Sequence, residues 1–212
     1  MGSGWCPRCG SDLIAPSAFD SAWRCSRHGK TLPLIAYQRI DHSTIRHIRE
    51  HADVPLWLPD PVPAGWSLAG LASVGDTRSR FRATVAALTG PAPLGGRGEW
   101  LLVAEEPGIG LGAGYAGWEA DDADSSFARA APAAKIMIRS HPVPLWPVAG
   151  VADNRCAYRG EADGVWFWLL AQPPDAGYVV FDDVSVSDHD GSGLALPSSS
   201  PRPQWLRPRL QE

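Results

Sequence analysis

Cys6-Pro7-Arg8-Cys9-Gly10 and Cys25-Ser26-Arg27-His28-Gly29 form two knuckles, C-x2-C and C-x2-H, separated by fifteen residues. That is the spacing of a zinc ribbon in which histidine replaces the fourth cysteine. Two ligands three residues apart grip one ion from a tight turn. A glycine after each pair, Gly10 and Gly29, lets the backbone adopt positive φ and aim amides at the sulfurs. Cys6, Cys9, Cys25 and His28 would then fill four tetrahedral positions around a structural Zn2+ and leave none open for a substrate. About thirty residues bury too little apolar surface to fold unaided, so metal must supply much of the module's stability. Trp5, Leu13, Ile14, Phe19 and Trp23 are expected to cap it. Iron in the same ligands, a Cys6–Cys9 disulfide and simple clustered thiols are the competing readings.

Outward from the knuckles, the chain has 212 residues, enough for one sizeable core and an appendage. Glycine and proline together number 42, above the ordinary share but below that of low-complexity sequence. With ten tryptophans, this points to a globular protein rich in turns. Net charge is −4, which does not advertise nucleic-acid binding. The distribution is uneven: residues 1–50 carry seven Lys/Arg against four Asp/Glu, and the remainder is acidic. The start lacks a basic n-region and an apolar h-region, and the longest strongly apolar run, 165–171, is too short to span a bilayer. The expectation is a soluble cytoplasmic protein with no membrane partner.

The order along the chain predicts an α+β fold, mostly antiparallel β. A zinc ribbon covers 1–33 and a helical bridge 34–52. Ile45, Ile48 and Ala52 lie on one helical face, and Ser43 is placed to cap the start. A β-rich body follows over 53–187, and a Ser/Pro/Arg-rich flexible tail over 188–212. Val54-Pro55-Leu56-Trp57 recurs as Val143-Pro144-Leu145-Trp146. Each copy leads to two strand-like runs: 81–88 and 100–106 after the first, 165–171 and 178–184 after the second. This suggests an internal duplication, with halves 53–118 and 142–187. Packed halves would bury Trp57, Trp100, Trp146, Trp166 and Trp168. The 165–171 strand alternates poorly and is expected to be covered on both faces.

Several motifs compete for a function, and each has a plainer explanation. His47-Ile48-Arg49-Glu50-His51 matches H-x-x-E-H, but no long helical pattern supplies a third metal ligand, so an exposed helix face accounts for it. Residues 112–117 match G-x-G-x-x-G, yet the helix and acid of a dinucleotide site do not follow, which leaves a glycine-rich turn. Residues 95–98 lack the lysine and hydroxyl of a P-loop and read as a hairpin turn. Glu105-Glu106 and Asp182-Asp183 end corresponding runs and could share a cleft, although solvated strand ends explain them too. Asp188-His189-Asp190-Gly191 is an incomplete calcium loop. Cys156 reads as a small apolar filler, and Ser198, Ser199 and Ser200 sit in the tail. No catalytic or cofactor-binding residue is assigned. Arg8, Arg24, Arg27 and Lys30 flank the knuckles and could meet nucleic acid or a protein.

The residues also carry a resemblance. Cys6-Pro7-Arg8-Cys9-Gly10, Trp23-Arg24-Cys25 with His28-Gly29, and Val54-Pro55-Leu56-Trp57 with Pro63-Ala64-Gly65-Trp66 come first. Leu102-Val103-Ala104-Glu105-Glu106, Gly110-Leu111-Gly112-Ala113, Pro144-Leu145-Trp146 and Trp166-Phe167-Trp168 follow. In this order they resemble an uncharacterised family of actinobacterial proteins, over most of the chain to about residue 190. Its members are labelled a domain of unknown function, some automatically as phosphotransacetylase. Phosphotransacetylases are larger α/β enzymes whose helices and acyl-phosphate residues have no counterpart here. The resemblance implies the two-part layout and transfers no catalytic residue. The expected function is a non-enzymatic binding or adaptor protein with a protein partner on the ribbon or the Trp-rich body. An acyl- or phosphoryl-transfer enzyme and a nucleic-acid-binding ribbon are the alternatives.

Overall fold

The computed structural model describes residues 4–76, 78–117, 131–181, 184–194, 196 and 206–208. The fold is α+β and mostly antiparallel. Twelve strands occur among the described residues. β1 (Arg24–Cys25) and β2 (Gly29–Lys30) form the ribbon hairpin. The other ten make one sheet, in the order β3-β5-β6-β7-β11-β10-β9-β8-β12-β4. These are β3 (Leu34–Ala36), β4 (Leu58–Pro59), β5 (Ser67–Asp76), β6 (Arg80–Pro91), β7 (Arg97–Glu105), β8 (Ala134–Ile138), β9 (His141–Pro147), β10 (Cys156–Ala162), β11 (Val165–Gln172) and β12 (Ser185–Ser187). Every pairing is antiparallel except β12 with β8.

The central strands are buried on both sides. On β7, Trp100, Leu102 and Ala104 enter a large core, while Leu101 and Val103 enter a second core on the opposite face. β11 does the same, with Phe167, Leu169 and Ala171 on one side and Trp168 and Leu170 on the other. This is the two-sided covering expected of 165–171, and it explains why alternation fails there. The large core also takes Ile136, Ile138, Val143, Leu145 and Val186 from β8, β9 and β12, so the far arm of the sheet folds over the same face as β5–β7. The second core is covered by helix α2 (Leu111–Ala116), by Leu34 and by Leu206.

Helix α1 (His42–His51) closes the large core with Ile45 and Ile48, both fully buried. Each such side chain contributes about 1.5–3 kcal/mol. The helix starts two residues earlier than a cap at Ser43 would place it. Asp41, not Ser43, is the N-cap: its carboxylate accepts from the Thr44 amide at 2.8 Å and from the hydroxyls of Ser43 and Thr44. A carboxylate outcompetes a serine hydroxyl here because it accepts all three bonds at once and faces the positive end of the helix.

Of the strand expected over 178–184, the part up to Phe181 belongs instead to a 3-10 helix, Pro174–Phe181. Pro173 and Pro174 lack the N–H that a ladder needs, and the Ala176 amide turns back onto the Pro173 carbonyl at 3.0 Å. The buried Trp100 indole fixes this helix by donating to the Ala176 carbonyl at 2.7 Å. The two Val-Pro-Leu-Trp copies also take different places: the first precedes β4, and the second lies within β9. Trp57, Trp100 and Trp168 are buried, whereas Trp146 and Trp166 are half-buried. The half-buried Trp166 ring packs on the buried Arg159 guanidinium, 3.6 Å from the centroid. Parts of the expected tail are packed: Leu194 and Leu206 are buried, and Asp188 pairs with Arg49 at 2.8 Å. No helix among the described residues is long and apolar enough to cross a membrane.

Candidate metal centre

Both knuckle glycines have positive φ, 70° at Gly10 and 69° at Gly29. This lets each turn close behind its ligands. Cys6, Cys9, Cys25 and His28 converge, with their ligand atoms all within 4.8 Å of one another. Cys6 Sγ lies 3.5 Å from His28 Nδ1, Cys25 Sγ lies 3.7 Å from the same nitrogen, and Cys9 Sγ lies 3.7 Å from Cys25 Sγ. A tetrahedral ion with metal–sulfur bonds near 2.3 Å and metal–nitrogen bonds near 2.0 Å requires edges of about 3.8 Å and 3.5 Å. The three edges measured match those of a four-coordinate site, and a set of four donors would leave no open position. The four residues could hold a metal ion as a closed set.

The local chemistry also favours thiolates that face a cation. The amides of Cys9 and Arg8 point at the Cys6 sulfur, and the Ser11 hydroxyl and amide point at that of Cys9. Burial pushes the metal-free Cys6 thiol up to about 12. At Cys9 burial is the largest influence and opposes ionisation, but the bonds from Ser11, Cys6 and Cys25 together outweigh it and hold the thiol below its ordinary value. A buried thiolate at Cys6 becomes tenable only beside a positive ion.

The ribbon is welded to the sheet. Trp5 and Leu34 exchange backbone hydrogen bonds of 3.0 and 2.8 Å, and the Gly75 amide donates to the Pro33 carbonyl at 2.9 Å. The Trp23 indole donates to Asp76 at 3.1 Å. On the other side, the first knuckle lies on α2. A Cβ on Gly114 would come within 2.7 Å of the Arg8 carbonyl and closer still to that of Pro7. Arg8 Nη2 donates to the Gly108 carbonyl at 2.7 Å. The C-terminal segment completes the clasp. Arg207 Nε donates to the Gly10 carbonyl at 2.6 Å, its Nη2 lies 3.3 Å from Asp12, and Tyr115 donates to the Leu206 carbonyl at 2.7 Å.

This attachment changes the expected apolar cap. Trp5, Leu13 and Trp23 are half-buried, but Ile14 is 67 % exposed and Phe19 100 % exposed. The ribbon's apolar side is covered by the sheet rather than by its own loop, and the loop is free to point outward. The turn that carries Phe19 is nevertheless built. The Phe19 and Asp20 amides donate to the Ser17 hydroxyl, and the Ala22 amide donates to the Asp20 carboxylate. Of the flanking cations, Arg24 pairs with Asp20 and Arg8 is tied to Gly108, while Arg27 and Lys30 are exposed.

The remaining motifs resolve into structure. The G-x-G-x-x-G run is not a loose turn but helix α2, with Gly110 and Gly117 in left-handed conformations at its ends. Glu105 is not a solvated strand end. It is 1 % exposed and accepts from the Leu111 and Gly112 amides at 2.6 and 3.2 Å. A carboxylate thus fills the place where a nucleotide phosphate would sit. Glu106 pairs with Arg82. Asp182 and Asp183 lie outside the described residues, as do Ser198, Ser199 and Ser200.

His47 and His51 stack 4.4 Å apart on α1 against Phe81, and the His51 Nδ1–H donates to the His47 carbonyl at 2.8 Å. They are half-buried rather than solvated, and the knuckle set alone forms a metal-capable group among the described residues. Asp190 accepts from the Ser192 amide, and Asp188 is used by Arg49. Burial pushes the half-buried Cys156 thiol up to about 11, and it donates to the Pro174 carbonyl at 3.3 Å.

A family model described as a family of unknown function (DUF6758) matches residues 1–204. No curated protein and no solved structure matches the chain.

Proposed function

The chain belongs to the family of unknown function DUF6758, and from that premise we propose a non-enzymatic binding or adaptor protein. Its four-ligand centre holds a structural zinc ion, and its ribbon loop docks a protein partner. The observation that carries this reading is the contrast within the ribbon. The ligand set is closed and locked to the sheet, while Phe19 stands fully exposed on a hydrogen-bonded turn. A fully exposed aromatic on a hydrogen-bonded turn, in a loop that also exposes Ile14, is suited to anchor an interface. Zinc is the ion best suited to three thiolates and an imidazole in a tetrahedral cage. Cysteines kept as metal ligands fit a reducing compartment, the cytoplasm.

Two measurements test it. Metal analysis of the purified chain should find one zinc per chain, lost in Cys25→Ser. Co-purification from the native cell should recover a partner with the parent chain but not with an Ile14→Ser/Phe19→Ser double variant of equal zinc content. Deleting the ribbon would be uninformative, because it strips Leu34 and α2 of their cover. Equal recovery with parent and double variant would refute docking through the loop.

A further inference from the structure

A cleft of about 260 Å³ lies where the ribbon meets the sheet. Neither Ile14 nor Phe19 lines it, so it is a different surface from the proposed docking loop. Arg8, His28, Lys30 and Thr31 supply its polar wall, and Leu32 and Ile109 are among its apolar residues. In a chain of net charge −4, no Asp or Glu is among the described residues that line this cleft.

One donor, Arg8, is held in place by a bond within the fold. Arg8 is fixed by its bond to the Gly108 carbonyl, which uses one of the five N–H groups of the guanidinium. His28 turns Nδ1 toward the Cys6 and Cys25 sulfurs.

The volume lies just below the range of drug-sized sites, which limits the occupant to a few heavy atoms. We propose that this cleft binds a small oxyanion, a carboxylate or phosphate group, held between Arg8 and Lys30 beside the imidazole of His28. Because His28 belongs to both sites, the cleft is complete only in the metal-loaded fold.

The test is titration calorimetry on the full metal-loaded chain at constant ionic strength, with inorganic phosphate and acetate as probes and chloride as the control anion. Saturable binding should weaken about tenfold in Lys30→Gln, the scale of one charge-assisted contact. Arg8→Gln should weaken it comparably, and Arg97→Gln, on the distant β6–β7 hairpin, should leave it unchanged. Metal content of each variant shows that the ribbon has folded. Lys30 is exposed on β2, so its replacement keeps the test decisive even if Arg8→Gln loosens the knuckle. Stronger binding of phosphate than acetate, or the reverse, assigns the ligand's headgroup. A cobalt-loaded chain should shift its visible bands on adding the tighter anion, since the occupant lies against a metal ligand. No saturable binding, binding unaffected by Lys30→Gln, or chloride competing on equal terms would overturn the proposal.

Discussion

Gly112 and Gly114 stand where a side chain has no room. A Cβ on Gly112 would enter the Trp168 indole, and one on Gly114 would press on the carbonyls of the first knuckle. Gly112→Ala should lower stability by about 1–3 kcal/mol, read as a lower denaturation midpoint, because the fully buried Trp168 cannot yield. Gly114→Ala should act on the ribbon instead and speed metal transfer to a competing chelator. Glu105→Ala would leave the Leu111 and Gly112 amides without their buried acceptor, at about 1–3 kcal/mol. Glu105→Gln keeps one acceptor oxygen and should recover part of that loss. At this scale the knuckles were legible in the sequence, since ligand type and spacing define the cage locally. The role of the later glycines was not legible. A G-x-G-x-x-G run has the same letters whether it admits a phosphate or a tryptophan, and the deciding partners, Trp168 and Arg8, are far away in the chain.

Among the elements, α1 was readable because Ile45 and Ile48 repeat at helical spacing and both are buried. Its cap is Asp41 rather than Ser43, two residues on, because the hydrogen bonds and not the residue type decide between them. Those bonds, from Ser43 first and then Thr44, hold the Asp41 carboxyl at about 2, below its ordinary 3.8. A depressed folded-state value stabilises the fold above the unfolded value and is lost as pH falls through the folded one. Asp41→Ala should therefore melt below the parent near neutral pH, and the difference should close between about pH 4 and pH 2. Thermal melts at several pH values check this. The 178–184 run failed as a strand for a reason present in its neighbours. Apolar content suits either a strand or a helix buried against a sheet, and the two prolines ahead of it removed the ladder donors.

In the whole molecule, the ribbon and the sheet are packed as one unit. The ribbon contributes to the second core through Trp5, and the C-terminal residues clasp it from outside. Metal removal should therefore lower the melting temperature of the entire chain in a single transition, rather than melt an independent appendage; calorimetry with and without chelator distinguishes the two. Arg207→Ala removes the bond to Gly10 and the contact with Asp12, and should accelerate metal loss with little change in the sheet. None of this attachment could be read from spacing, because residues 5, 34, 114 and 207 meet only after folding.

The pairing of Trp5 with Leu34 has another consequence. β3 is the terminal strand of the ten-stranded sheet, and a strand in that position offers unpaired N–H and C=O groups to any passing chain. The ribbon occupies part of that margin, while the opposite margin, β4, is only two residues long and ends in Pro59. Metal scarcity would uncover the first margin and leave the second protected. Self-association of the starved protein should thus begin from one end of the sheet, and metal supply in the cell would govern how much of it stays dispersed.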